Sequence, residues 1–306
     1  MKKLLTVAAT GLVGSKVASR AINQEFETYH TNNTLDSNFP RTFNLDIRDR
    51  EATMRLVSKI RPHIIINAAA LTNVDYCETH KKEAEDVNTR GVKNLADAAL
   101  INKSRLIQIS TDSVFDGAYG HYAESDTPHP INHYSATKLE AENIVSQLPD
   151  YAIARPSAIY GWHSRKSAGS SGSTKAMNFA MYVLDRLKTN LSVRAIRDQY
   201  NSPTFADNLA EALLNLARRN ESGIFHVAGR SCLSRYEFAL KIAQTFGYKT
   251  ELIHPVFASE FDQVAIRPKN CCLRVEKAER TLRMRFLSVD EGIRQMKVQA
   301  ASINEF

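Results

Sequence analysis

Cysteine is scarce, four in 306 residues, and none of Cys77, Cys232, Cys271 and Cys272 stands in a CxxC pair or at zinc-finger distance from a histidine. That spacing excludes a structural zinc site and predicts four reduced thiols in a cytosol, with the vicinal Cys271-Cys272 serving packing. No apolar run approaches the roughly 20 residues that cross a bilayer, so no membrane segment is expected. Met1-Lys2-Lys3 and Leu4 to Ala9 have the outline of a secretory leader. The apolar stretch is too short, though, and runs into Thr10-Gly11-Leu12-Val13-Gly14, so none is expected and a cytoplasmic setting is. Basic residues outnumber acidic ones by 40 to 33, net +7, but they are spread along the chain and lack interleaved aromatics. A solvated basic surface is therefore expected, with no nucleic-acid partner. His121, His129 and His133 share no helical or strand face, so no metal site is expected.

What is present suits a globular chain with a sizeable core: 43% hydrophobic and 24% charged residues. Short apolar runs alternate with helical periodicity. Strands are predicted over Lys3 to Ala8, Phe26 to Thr31, His63 to Ala68, Arg105 to Ile109 and Tyr151 to Ala154. Helices are predicted over Leu12 to Ile22, Arg50 to Lys59, Lys82 to Leu100 (as one long helix) and Tyr134 to Gln147. This alternation implies right-handed crossovers and a parallel, doubly wound α/β sheet. The pattern changes after Pro156, dividing the chain into a dinucleotide-binding domain, 1–156, and a smaller α/β lobe, 157–306. Ser164 to Thr174 reads as a loop. Helices follow over Ala176 to Thr189, Phe205 to Arg219 and Glu276 to Arg285, and strands over Leu191 to Ile196 and Ile224 to Ala228. Both strands are expected to rejoin the first sheet, leaving the rest of the lobe over its carboxyl edge, where ligands bind in such folds.

Two constellations carry chemistry. In the first turn, Ala8-x-x-Gly11-x-x-Gly14 lets a phosphate approach the backbone at a helix N-terminus. Ala stands at the first position where Gly is expected, and it is strained there if that position needs positive φ. His30-Thr31-Asn32-Asn33-Thr34, at the end of the second strand, offers no acid for a ribose. The choice between NADP(H) and NAD(H) thus leans to NADP(H), with His30 and Arg41 as candidate phosphate partners and Asp46 placed to contact the adenine. The second constellation is Tyr134-Ser135-Ala136-Thr137-Lys138, a phenol and an ammonium on one helix face. A nearby cation lowers a phenol's pKa, so Tyr134 can exchange a proton with a substrate oxygen while a nicotinamide exchanges hydride with the adjoining carbon. Ser110-Thr111-Asp112 places hydroxyls at the end of a predicted strand, from which Thr111 can donate to a reacting carbonyl.

With these motifs the sequence resembles the extended short-chain dehydrogenases and, among them, the dTDP-4-dehydrorhamnose reductases. The resemblance runs through Asn67 to Asp75 and Glu78, Val87-Asn88, Ser110 to Gly117, Tyr134 to Lys138 with Glu142, and Arg155-Pro156. It continues through Tyr160-Gly161, Asp198-Gln199 with Ser202-Pro203-Thr204, His226 to Gly229, and Arg267-Pro268 with Leu273. It implies a Rossmann fold and NAD(P)H-dependent reduction of a 4-keto group on a nucleotide-linked deoxysugar, with Thr111, Tyr134 and Lys138 as the catalytic triad. The cofactor would meet Thr10, Gly11, Leu12, Val13, Gly14, His30, Asp46, Ile47, Ala68, Ala69, Ala70 and Thr72, besides Tyr134 and Lys138. The sugar nucleotide would meet Thr72, Val74, Thr111, Asp112, Ser113, Ser157, Ala158 and Arg267, the last through its pyrophosphate or instead as a structural ion pair. A homodimer is compatible with this reading. Ser113 stands where the family commonly has tyrosine, and Ala158 where a tryptophan commonly contacts the sugar. The regulatory beta subunit of methionine adenosyltransferase shares much of the motif set, which keeps open an NADP-binding subunit without turnover.

Overall fold

A computed structural model describes residues 1–22, 26–33, 39–162 and 177–302. The loop expected over Ser164 to Thr174 lies outside the described residues. Seven strands form one parallel sheet: β1 Lys2–Val7, β2 Phe26–Asn32, β3 Thr42–Asn44, β4 Ile64–Asn67, β5 Arg105–Ile109, β6 Tyr151–Arg155 and β7 Gly223–His226. Their order is β7-β6-β5-β4-β1-β2-β3. Every residue of β4 and β5 is buried, as a strand covered by helices on both faces requires. The chain runs outward from β1 to β3 and then returns to β4 on the other side of β1. This reversal opens a crevice at the carboxyl ends of β1 and β4, where ligands bind in such sheets.

Two apolar layers cover the sheet. One includes Leu4, Val17, Ile66, Ile107 and Leu213, and brings the helix Leu12–Ile22 against the helix Ala206–Arg218. The other includes Leu5, Val57, Ile65, Leu95 and Ile153. A separate core, with Tyr160, Leu184, Phe238, Ile293 and Met296, holds the lobe built by the helices Phe179–Lys188, Arg235–Phe246 and Val289–Ser302.

Three expectations are corrected. Gly223–His226 rejoins the main sheet, but Val193–Ile196 does not; it pairs in parallel with Ile253–Val256 in a two-stranded sheet. Its side chains alternate, Val193 and Ala195 inward and Arg194 exposed, a pattern for a half-solvated strand that a sheet covered on both faces does not accommodate. The single helix expected over Lys82 to Leu100 is divided: Lys81–Glu85 and Gly91–Asn102 flank a π-helical turn, Asp86–Arg90. The wider turn carries Asn88 inward, where its amide bonds both the N–H and the carbonyl of Leu71 and the Thr137 hydroxyl. Finally, Cys232 and Cys272 form a disulfide, with Cα atoms 5.5 Å apart, while Cys77 and Cys271 are free and buried. The two partners lie 40 residues apart and meet only through the tertiary fold, which spacing along the chain does not show.

Candidate active site

A cavity of about 450 Å³ follows the carboxyl edge of the sheet, from the glycine turn after β1 to Arg235 in the second lobe. At the turn, Ala8 has φ 59°, the left-handed conformation that disfavours a side chain. The turn is closed by Gly11 N–H donating to the Ala8 carbonyl at 3.1 Å. A Cβ on Gly14 would lie 2.1 Å from the same carbonyl oxygen, so the first helix can approach the turn only with glycine there. Thr10, Leu12 and Val13 complete this wall, a helix N-terminus facing the cavity.

Toward β2 and β3 the structure departs from expectation. His30 is fully buried, does not line the cavity, and has no partner for either ring nitrogen among the described residues. Burial pushes its pKa down to about 4, so it is a neutral core side chain and no phosphate ligand. Arg41 pairs with Glu27 and lies over the Tyr29 ring, also away from the cavity. Asn32 and Asn33, beyond Thr31, line the cavity here, with Asn32 the deeper of the two. Asn32 is buried, and neither of its amide atoms has a partner among the described residues. Asp46 and Ile47 line the cavity, with the Asp46 carboxylate held by Arg48 at 2.6–3.0 Å.

Ala68, Ala69, Ala70, Thr72 and Val74 form the middle wall, held through the Asn88 bonds to Leu71. Opposite them Thr111 stands two residues beyond β5, and Tyr134 lies in the first turn of the helix His133–Val145. Asn132 caps that helix by accepting from Ser135 N–H at 2.9 Å, and Glu78 accepts from His133 N–H at 2.9 Å. Tyr134 and Thr111 are both buried, and both line this stretch of the cavity. Burial raises the Tyr134 phenol well above its ordinary value, and the Thr111 contact offsets part of that rise.

Lys138 is on the expected helix, but its Nζ donates to the Ile109 carbonyl at 2.7 Å and does not line the cavity. The net effect of the surroundings on the Tyr134 phenol is a raised pKa, with burial the largest cause. Burial itself lowers the Lys138 pKa to about 8, with Glu142 opposing. Glu142 in turn accepts from the Ser110 hydroxyl at 2.5 Å and from Arg155 at 2.9 and 2.6 Å, which ties the ends of β5 and β6 to the catalytic helix.

Asp112, Ser113 and Ala158 line the far end. Ser157 and Arg267 do not: Ser157 is buried and donates to Asp112 at 2.5 Å, whereas Arg267 pairs with Asp75 at 2.8 Å. The first supports the site from behind. The second is a structural ion pair here, the alternative left open for it. Asn201, Asn178, Met177, Met181 and Arg235 line the cavity without having been anticipated. Ser234 and Glu237 form a capping box that marks a helix start, but nothing in sequence aims Arg235 at a site.

Comparison with known proteins follows the same lines. The model of the RmlD substrate binding domain family matches residues 1–301. A dTDP-4-dehydrorhamnose reductase of Aggregatibacter actinomycetemcomitans is 31% identical, over 91% of this chain and 92% of that protein. Methionine adenosyltransferase 2 subunit beta of Danio rerio is 30% identical, over 91% of this chain and 84% of that protein. The crystal structure of a dTDP-4-dehydrorhamnose reductase of Bacillus anthracis in complex with NADP superposes with a TM-score of 0.86. It is 29% identical and covers 98% of this chain and all of that one.

Proposed function

The chain belongs to the RmlD substrate binding domain family, and on that premise we propose that it is an NAD(P)H-dependent reductase of a 4-keto group on a nucleotide-linked deoxysugar, of the dTDP-4-dehydrorhamnose reductase kind, preferring NADPH. One observation carries the reading: Tyr134 and Thr111 sit together on the wall of a cavity that runs without interruption to a glycine turn at a helix N-terminus. The residues fit a dinucleotide. Glycine at position 14 lets the first helix pack against the turn and so sets its N-terminus at the cavity, and the buried Asn32 amide has no partner among the described residues at the end where an adenosine ribose would lie.

Within this proposal, residues 1–156 hold the cofactor and 157–306 mainly the substrate. Gly11 to Gly14 receive the pyrophosphate, Ala68 to Ala70 flank the nicotinamide ribose, and Asp46 and Ile47 border the adenine. A bound nicotinamide supplies hydride to the substrate carbon. Tyr134 donates its phenolic proton to the ketone oxygen, a role suited to a phenol that burial keeps protonated. Thr111 donates a hydrogen bond to the same oxygen as charge develops on it. Lys138, anchored on the Ile109 carbonyl, places its charge under this end of the site and favours the phenolate left after proton transfer. Thr72, Val74, Asp112, Ser113 and Ala158 border the sugar.

Binding without turnover, the role that the beta-subunit relative suggests, is the weaker reading, because it leaves the buried Tyr134–Thr111 arrangement without a task. No helix among the described residues is long and apolar enough to cross a membrane. We infer a homodimer and, from the supply of NADPH, a cytoplasmic location, a setting in which the Cys232–Cys272 disulfide is unusual. The test is NADPH oxidation, followed by absorbance, with dTDP-4-keto-6-deoxyhexoses.

A further inference from the structure

Among the described residues that line the cavity, Arg235 is the single basic side chain. It is partly buried, lies at the first position of the helix Arg235–Phe246, and borders both the main cavity and a smaller adjoining one shared with Ala158, Asn201 and Phe179. Its guanidinium carbon lies 5.2 Å from the Phe179 ring centroid, and it makes no hydrogen bond or ion pair among the described residues. The two charged neighbours are already engaged. Arg267 is neutralised by Asp75. Asp112, the carboxylate whose charge acts on it, accepts from neutral donors on both oxygens: Thr111 and Ser113 on one, Ser157 and Asn201 on the other.

A guanidinium has five donors in a planar fork suited to a carboxylate or phosphate, and leaving those donors without a directly bonded anion in a half-dry wall is costly. Stacking on one ring is a small return for that cost. Burial and the charge of Arg267 lower the Arg235 pKa, and the Asp112 charge offsets part of this. Such a group is retained where a ligand brings the anion.

We propose that Arg235 holds an oxyanion of the substrate, either a phosphate of the nucleoside diphosphate or a carboxylate carried on the sugar. Which ligand class occupies the cavity rests on the reductase reading; the unpaired guanidinium of Arg235 among the described residues does not.

The test uses the full chain loaded with NADP⁺ and calorimetric titration of dTDP, UDP-glucose and UDP-glucuronic acid. If Arg235 holds the diphosphate, Arg235→Gln weakens all three by a similar factor, roughly 10- to 100-fold, and leaves NADP⁺ affinity unchanged. If it holds a sugar carboxylate, the wild type prefers UDP-glucuronic acid over UDP-glucose and Arg235→Gln abolishes that preference alone. Arg235→Lys, which keeps the charge and loses the fork, falls between wild type and Gln. The melting temperature of unliganded Arg235→Gln stays level or rises, whereas an arginine with a purely structural task would lower it. Affinities unchanged within twofold in both variants, or no binding of any probe by the wild type, would overturn the assignment. Arg235-dependent dTDP binding in a chain that never oxidises NADPH would retain it and remove the reductase reading instead.

Discussion

Glu142 and Arg155 face each other through two hydrogen bonds, 2.9 and 2.6 Å long, with both side chains out of water. The pair joins the catalytic helix to the end of β6, and through Ser110 to the end of β5, so the positions of Thr111 and Tyr134 depend on it. Breaking a buried pair from one side strands the other charge. Glu142→Gln or Arg155→Met should each cost about 3–5 kcal/mol of stability, and the double variant less than their sum. Urea denaturation measures this; a loss below about 1 kcal/mol in either single variant would show the pair to be dispensable.

The left-handed Ala8 and the crowded Gly14 make opposite predictions about one turn. Ala8→Gly removes a side chain from an unfavourable φ at an entropic cost of similar size, so stability should stay within about 1 kcal/mol of wild type, with NADPH bound equally or more tightly. Gly14→Ala would drive a Cβ into the Ala8 carbonyl and should weaken NADPH roughly tenfold or more. Calorimetric titration of both variants decides it, and Gly14→Ala binding as tightly as wild type would contradict the account of the turn.

Lys138 gives the site a pH dependence. Its pKa in the folded chain, about 8, lies below the ordinary lysine value of 10.5, so the folded state binds fewer protons between those values than the unfolded one. The unliganded protein should therefore become more stable through this group as pH rises from about 8 to 10.5. A charged Lys138 is needed in the mechanism, so kcat/KM should fall as pH rises through about 8, below any limb set by the raised Tyr134 phenol. Lys138→Arg, which stays charged, should move or remove that limb. A profile identical to wild type in the Arg variant would dissociate the limb from Lys138.

Much of this arrangement is written locally. The helix Leu12–Ile22 and the strands β4 and β5 are legible because glycines punctuate the first turn and a strand buried on both faces is a continuous apolar run. Thr111 and Tyr134 are legible as motifs at strand and helix ends. The exchange of His30 for Asn32 is not, since the two share one side of β2 and the choice depends on how far along the strand the crevice opens. The π turn at Asp86–Arg90 exists to bring Asn88 onto Leu71 and Thr137, partners 17 and 49 residues away. The Cys232–Cys272 disulfide, the pairing of Val193–Ile196 and the aim of Arg235 are likewise products of tertiary folding.

The most direct test of the central claim is stopped-flow oxidation of NADPH by the wild type and by Tyr134→Phe with a dTDP-4-keto-6-deoxyhexose, alongside calorimetric NADPH affinities. The account predicts turnover by the wild type and a loss of about 10²- to 10⁴-fold in the Phe variant, with NADPH affinity unchanged. Equal rates in the two proteins, or no oxidation by a wild type that binds NADPH, would contradict it.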